Sequence, residues 1–121
     1  MSEREISPND RTEARKRVDS ELLEDALDLE RETNRLSVVG EPTRFTILYL
    51  LAEEEQVRSG ELAQLLDRRQ NDLYHHLNAL EDAGLVEKFR DGGSRVYELS
   101  PLAEGFVPQV LDAVRARARA V

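Results

Sequence analysis

Between Ser59 and Ser100 the apolar pattern changes period, and that change constrains this chain more than any other feature. Leu62, Ala63, Leu65 and Leu66 recur at helical spacing, which gives a first helix one stripe to turn toward a core. Asp67-Arg68-Arg69-Gln70 interrupts the stripe. Asp67 is a competent N-cap and Gln70 follows it at capping-box spacing, so a second helix is predicted from about Arg68. Its buried stripe is Leu73, Leu77 and Leu80; Asn71, His75 and Asn78 fall opposite, with Tyr74 on the flank. The outward face is thus rich in hydrogen-bonding groups instead of the Glu/Lys mixture of a solvated helix. Gly84 sits where a left-handed C-cap belongs. Two short alternating runs follow, Val86 to Phe89 and Arg95 to Leu99, joined by Asp91-Gly92-Gly93-Ser94; the glycine pair suits a tight hairpin, with Arg90 and Arg95 flanking its tip.

Helix, tight turn, helix and two-stranded ribbon is the order of a winged helix-turn-helix. Glu41-Pro42-Thr43-Arg44-Phe45-Thr46-Ile47-Leu48, then GELAQLL, then HLNALEDAGLVEKFRDGGSRVYELS, resembles the ArsR-type winged-helix transcriptional regulators, over about half of the chain from Val38 to Phe106. In its acidic, Arg-rich composition the chain is similar, more narrowly, to small regulators of halophilic archaea, oxidative-stress regulators among them. Two positions depart from the family pattern. Arg68 stands where an apolar residue is usual and Arg69 where a capping Ser or Thr is usual, which leaves the onset of the second helix open by a residue or two.

The resemblance and the pattern together predict a mainly α chain with a small β-wing. Residues 1–9 read as a mobile tail, 10–37 as an N-terminal dimerisation helix, 38–100 as the winged helix-turn-helix DNA-binding domain and 101–121 as a C-terminal dimerisation helix. Val18, Leu22, Ala26, Leu29 and Leu36 lie along one stripe of the first segment, and such a stripe needs a partner surface. Glu41 or Thr43 starts the next helix with Pro42 in its first turn, and Phe45, Ile47, Leu48, Leu50 and Leu51 make it the core helix. Arg44 reads equally as a phosphate contact or as an ion pair within the domain. Val57-Arg58 suits a short third strand, and Ser59 an N-cap. Ser100-Pro101 starts a terminal helix, restarted or kinked at Pro108, on which Phe106, Val107, Val110, Leu111 and Val114 are apolar. In ArsR-like proteins the two end helices form the two-fold interface, which assigns Leu22, Leu29, Leu36, Val107, Val110, Leu111 and Val114 to dimerisation.

At 121 residues the chain has the length of one domain, with no room for a catalytic one. The absence of cysteine excludes disulfides and thiolate metal sites. His75 and His76 point apart on a helix and do not chelate one ion, His76 reads as a satisfied core group, and the His-bearing terminal-helix metal sites of the family have no counterpart here. No metal and no cofactor are expected. No signal peptide or apolar run of about 20 residues is visible, which predicts a cytoplasmic protein without membrane contact.

A net charge of −8 is unusual for a DNA binder. Distribution resolves this: residues 19–32 hold seven acids against Arg31, whereas residues 68–95 are balanced. Only two of the 17 basic residues are lysine. Excess acid with arginine over lysine suits concentrated salt, where the Debye length falls to about 3 Å at 1 M and only direct contacts count; acidic surfaces also simply keep proteins soluble.

The second helix should enter the major groove. Arg68 and Arg69 at its start oppose the helix dipole until a phosphate or guanine edge relieves them. Arg69 and Gln70 are therefore assigned to base or phosphate contacts, Asn71 and His75 to base edges, Tyr74 and Asn78 to phosphate or thymine-methyl contacts, and Arg90 and Arg95 to the backbone or minor groove. Asp72 and Asp91 would then face phosphates, with bridging cations taken up between them. The leading expectation is a homodimer on a pseudo-palindromic duplex; the alternative is a winged helix used for protein–protein contact within a transcription complex.

Overall fold

The computed structural model describes residues 8–121, which fall in two compact units divided between Asn34 and Arg35. Residues 1–7, most of the expected tail, lie outside the described residues; Pro8 and Asn9 already belong to a helix.

In the first unit, α1 (Pro8–Arg17) runs into a π-helical turn, Val18–Leu22, closed by the Leu23 amide on the Val18 carbonyl. The single helix predicted over residues 10–37 is not formed. Glu24 and Asp25 both take φ of 54°, and α2 (Leu29–Val39) starts afresh with the Asp28 carboxylate accepting from the Arg31 amide at 3.0 Å. Charge explains the break: Glu21, Glu24, Asp25 and Asp28 would share one face of a continuous helix at mutually repelling spacings. Arg15 links the two sides of the turn, its guanidinium on both Glu30 oxygens at 2.9 and 3.0 Å.

The second unit is built on α3 (Pro42–Glu54). Glu41 caps it by accepting from the Arg44 amide at 2.9 Å, and Pro42 occupies the first turn, where its missing N–H costs nothing. Ile47, Leu48 and Leu51 on α3 are almost wholly buried with Val57, Leu62, Leu73, Leu77, Leu80, Leu85 and Tyr97. β1 (Gln56–Arg58) leads into α4 (Ser59–Leu65), whose N-cap is Arg58 and not Ser59. α5 (Gln70–Asp82) is followed by β2 (Val86–Asp91) and β3 (Ser94–Leu99). The antiparallel sheet has the order β1-β3-β2, with Val57 opposite Tyr97 and Arg90 opposite Arg95. Each wing strand is longer than its apolar alternation suggests, because Asp91 pairs with Ser94 and leaves Gly92-Gly93 as a two-residue loop with φ of 58° and 83°. Two left-handed residues in succession are what that hairpin requires.

Ser100 joins the wing to the body: its hydroxyl donates to the Gly84 carbonyl at 2.6 Å and accepts from the Ala103 amide at 3.1 Å, capping α6 (Pro101–Glu104). α7 (Val107–Ala120) restarts after Gly105-Phe106, with Pro108 in its first turn, and packs on α3. Here two interface assignments change. Val107 and Leu111 are 3% and 5% exposed in the protomer and belong to its own core; Val110 is half-buried and Val114 half exposed. Leu22 and Leu36 are largely exposed and Leu29 is intermediate. The architecture is otherwise the mainly helical one with a small β-wing.

Candidate nucleic-acid interface

The link between α4 and α5 is set by a backbone device that the sequence pattern misassigns. Asp67 does not cap α5. It takes φ of 51°, its amide donates to the Gln64 carbonyl, and the Arg68 amide donates to the Ala63 carbonyl at 2.9 Å, which is a Schellman-type ending of α4. Gly84 with φ of 75° and the Leu85 amide on the Leu80 carbonyl end α5 in the same way. The position suits Asp because its short polar side chain tolerates the left-handed region better than most residues. The N-cap of α5 is Arg69, extended and without a side-chain cap bond. Arg68 and Arg69 thus stand exposed on the connector ahead of the helix, and their guanidinium groups make no hydrogen bond or ion pair among the described residues.

On α5 itself Leu73, Leu77 and Leu80 turn inward, each at most 1% exposed. Gln70, Asn71, His75 and Asn78 are exposed and Tyr74 is half-buried, the arrangement expected from the spacing. The hydroxyl of Tyr74 donates to Gln70 Oε1 at 3.3 Å, and the Arg95 guanidinium carbon lies 5.2 Å from the centre of the Tyr74 ring, within cation–π range. Arg90 donates to the Gly93 carbonyl at 3.2 Å at the wing tip. Between helix and wing lies an open cleft of about 690 Å³ walled by Arg58, Gln64, Gln70, Tyr74, Arg90 and Arg95.

Arg58 was not foreseen here. It donates to the Asp91 carbonyl oxygen at 3.0 Å and to its carboxylate at 2.8 Å, pinning the wing tip to β1. The carboxylate of Asp91, expected to face phosphate, is thereby engaged by a cation of the protein itself. The available signal was the short Val57-Arg58 strand, which had to lie beside the wing. Lys88 and Glu81, 3.3 Å apart, fasten β2 to α5. Arg44 makes an internal contact, though a hydrogen bond and not the ion pair expected: Nε donates to His76 Nδ1 at 3.2 Å, behind the exposed face. His76 is half-buried, and burial holds its imidazole below its ordinary pKa, assisted by Arg44, His75 and Arg68 against the opposing pull of Glu41. Among the described residues no group of three or more His, Cys, Asp or Glu side chains is placed to hold a metal ion, and no helix is long and apolar enough to cross a membrane.

A helix-turn-helix domain model matches residues 39–88. An uncharacterized HTH-type transcriptional regulator of Methanocaldococcus jannaschii is 34% identical over 68 residues, covering 56% of this chain and 76% of that protein. NolR of Sinorhizobium fredii superposes with a TM-score of 0.62 at 27% identity over 93% of each chain. A protein solved as an ArsR family transcriptional regulator shares the fold with a TM-score of 0.58 at 21% identity, over 79% of this chain and 98% of the other. The chain belongs to the HTH-type transcriptional regulators, a DNA-binding family without enzymatic activity, and its fold is the ArsR-like winged helix.

Proposed function

We propose that this chain is a homodimeric, sequence-specific regulator that binds a pseudo-palindromic duplex, with α5 in the major groove of each half-site. The observation that carries this reading is the single exposed face on which Gln70, Asn71, His75 and Asn78 lie between the unpaired Arg68-Arg69 connector and the wing arginine Arg90. Two copies would present their helices about one DNA turn, roughly 34 Å, apart. Leu22, Leu29, Leu36, Val110 and Val114 are left to form the two-fold contact, since Val107 and Leu111 are used within the protomer.

The net charge of −8 and the preference for arginine over lysine support work in concentrated salt. There, cations held between Asp72 and the phosphates would offset the counterion release that normally weakens binding. Asp91 contributes less to this, being engaged by Arg58.

Gel shifts on promoter fragments across a salt series test the reading, with the double change Arg69→Glu and Gln70→Glu as control. Retention of a fragment by the wild-type chain and its loss by the double variant is the expected result. A log–log salt slope steeper than about −4 removes the cation uptake. Failure to bind any duplex at any ionic strength leaves the protein–protein role instead.

A further inference from the structure

The two wing arginines sit opposite each other in the hairpin register but are held differently. Arg90 is exposed at the tip and bonded to the Gly93 carbonyl. Arg95 is half-buried, makes no hydrogen bond or ion pair among the described residues, and lies over the ring of Tyr74. Tyr74 in turn reaches back one helical turn, and its hydroxyl donates to Gln70 Oε1. The other end of that amide faces the start of α4, where Nε2 lies 3.4 Å from the place a Cβ on Gly60 would occupy and makes no hydrogen bond among the described residues. A side chain that is free to rotate on most helix faces is therefore held at its oxygen by Tyr74, with its nitrogen left to donate.

We propose that Arg95 is a positioning residue for base reading, acting through Tyr74 to fix the orientation in which the Gln70 amide meets one base pair of each half-site. This rests on the DNA-reading role of α5 proposed above. An amide presents an acceptor at one end and a donor at the other, so its orientation decides which base edge it accepts. A cation over a phenol ring draws electron density from it and makes the hydroxyl a better donor. The relay thus couples the wing to the first turn of the reading helix, and Arg95 contributes selectivity rather than a phosphate contact.

The test is selection from a randomised duplex library, with the salt dependence of binding measured on the selected sequence. Gln70→Ala should cut discrimination at one base pair per half-site by about tenfold. Tyr74→Phe keeps the ring but loses the hydroxyl, and Arg95→Met keeps the length but loses the charge. Each should lower discrimination at that same base pair by roughly threefold, a part of the value of one base contact. Adding Tyr74→Phe to Gln70→Ala should cost nothing more, and the salt slope of Arg95→Met should stay that of wild type. In the DNA-free protein the Gln70 side-chain amide resonances should shift in both variants. An Arg95→Met profile like wild type with a slope reduced by about 0.9 makes Arg95 a phosphate contact and overturns the proposal. A uniform loss at all positions, or unmoved Gln70 resonances, overturns it too. If wild type selects no sequence, the reading role of α5 falls and the relay with it; selection by wild type with unaltered variant profiles removes the relay alone.

Discussion

Arg44 on the first turn of α3 donates from Nε to His76 Nδ1 in the middle of α5 at 3.2 Å, which requires a neutral imidazole with its proton on the other nitrogen. The Glu41 carboxylate lies 3.6 Å from the same Nδ1 and also caps α3. Burial pushes the Glu41 carboxyl upward, but the Arg44 and Thr43 amides, with the charge of Arg44 and that of His76 once it is protonated, outweigh it and hold the group below the usual carboxylate range. The inner side of α5 is thus anchored to the core helix through three titratable or charged groups.

Acid should therefore loosen this anchor in two stages. Both folded pKa values are lowered, so the unfolded chain binds the proton first and stability falls as pH falls. The His76 contribution is complete above about 6.5 and is lost downward from there; that of Glu41 is complete above about 4.5 and is lost below it. Urea midpoints taken between pH 8 and 5 should decline in wild type and stay flatter in His76→Gln, which keeps an acceptor for Arg44. Equal slopes for the two proteins would show that His76 is not the titrating group.

The left-handed Asp67 is strained, since φ of 51° carries a cost that glycine avoids. Asp67→Gly should stabilise the fold by about 0.5 kcal/mol, the relief being partly offset by the greater freedom of glycine in the unfolded chain. It also removes a carboxylate beside Arg68 and Arg69, so duplex affinity should rise with stability. Thermal melts paired with binding titrations measure both.

Val114 and Leu111 lie one turn apart on α7 and should answer substitution in opposite ways. Leu111 is 5% exposed and part of the core, so Leu111→Ala should cost about 2–4 kcal/mol in denaturant unfolding. Val114 is 50% exposed in the protomer; Val114→Glu should leave the protomer fold intact and weaken self-association in sedimentation.

The pair also shows where the sequence stopped being legible. Periodicity identifies apolar faces, and it placed α3, α5, the hairpin and the outward polar set of α5 because each has one face and one period. It does not say which apolar residue enters the chain's own core and which stays exposed, so Leu111 and Val114 looked alike. Cap chemistry was ambiguous for a similar reason: an Asp beside a helix boundary serves as N-cap or as left-handed terminator, and only the hydrogen bond from the Arg68 amide to the Ala63 carbonyl distinguishes them. The break in the first helix lay in charge repulsion that an apolar heptad spacing does not register. Arg58, Gly60 and the Tyr74–Arg95 stack depend on strand register and close approach, which residue order alone does not encode.

The Arg58–Asp91 bridge should matter to binding far more than to folding. Its side chains are 51% and 62% exposed, and ion pairs so open to water contribute about 0–1 kcal/mol to stability, so Arg58→Ala should lower the melting temperature only slightly. Yet Arg58 is the residue that ties the wing tip back to β1, holding both the carbonyl and the carboxylate of Asp91. Without it the tip gains freedom that binding must remove, and an unpaired carboxylate is left beside the duplex. Affinity should fall several-fold, and hydrogen exchange at the wing-tip amides should quicken. Asp91→Ala added to Arg58→Ala removes the stranded charge and should recover part of the loss, leaving the share due to mobility. If the double variant binds no better than Arg58→Ala, the carboxylate of Asp91 has no bearing on the duplex and the bridge acts through wing geometry alone.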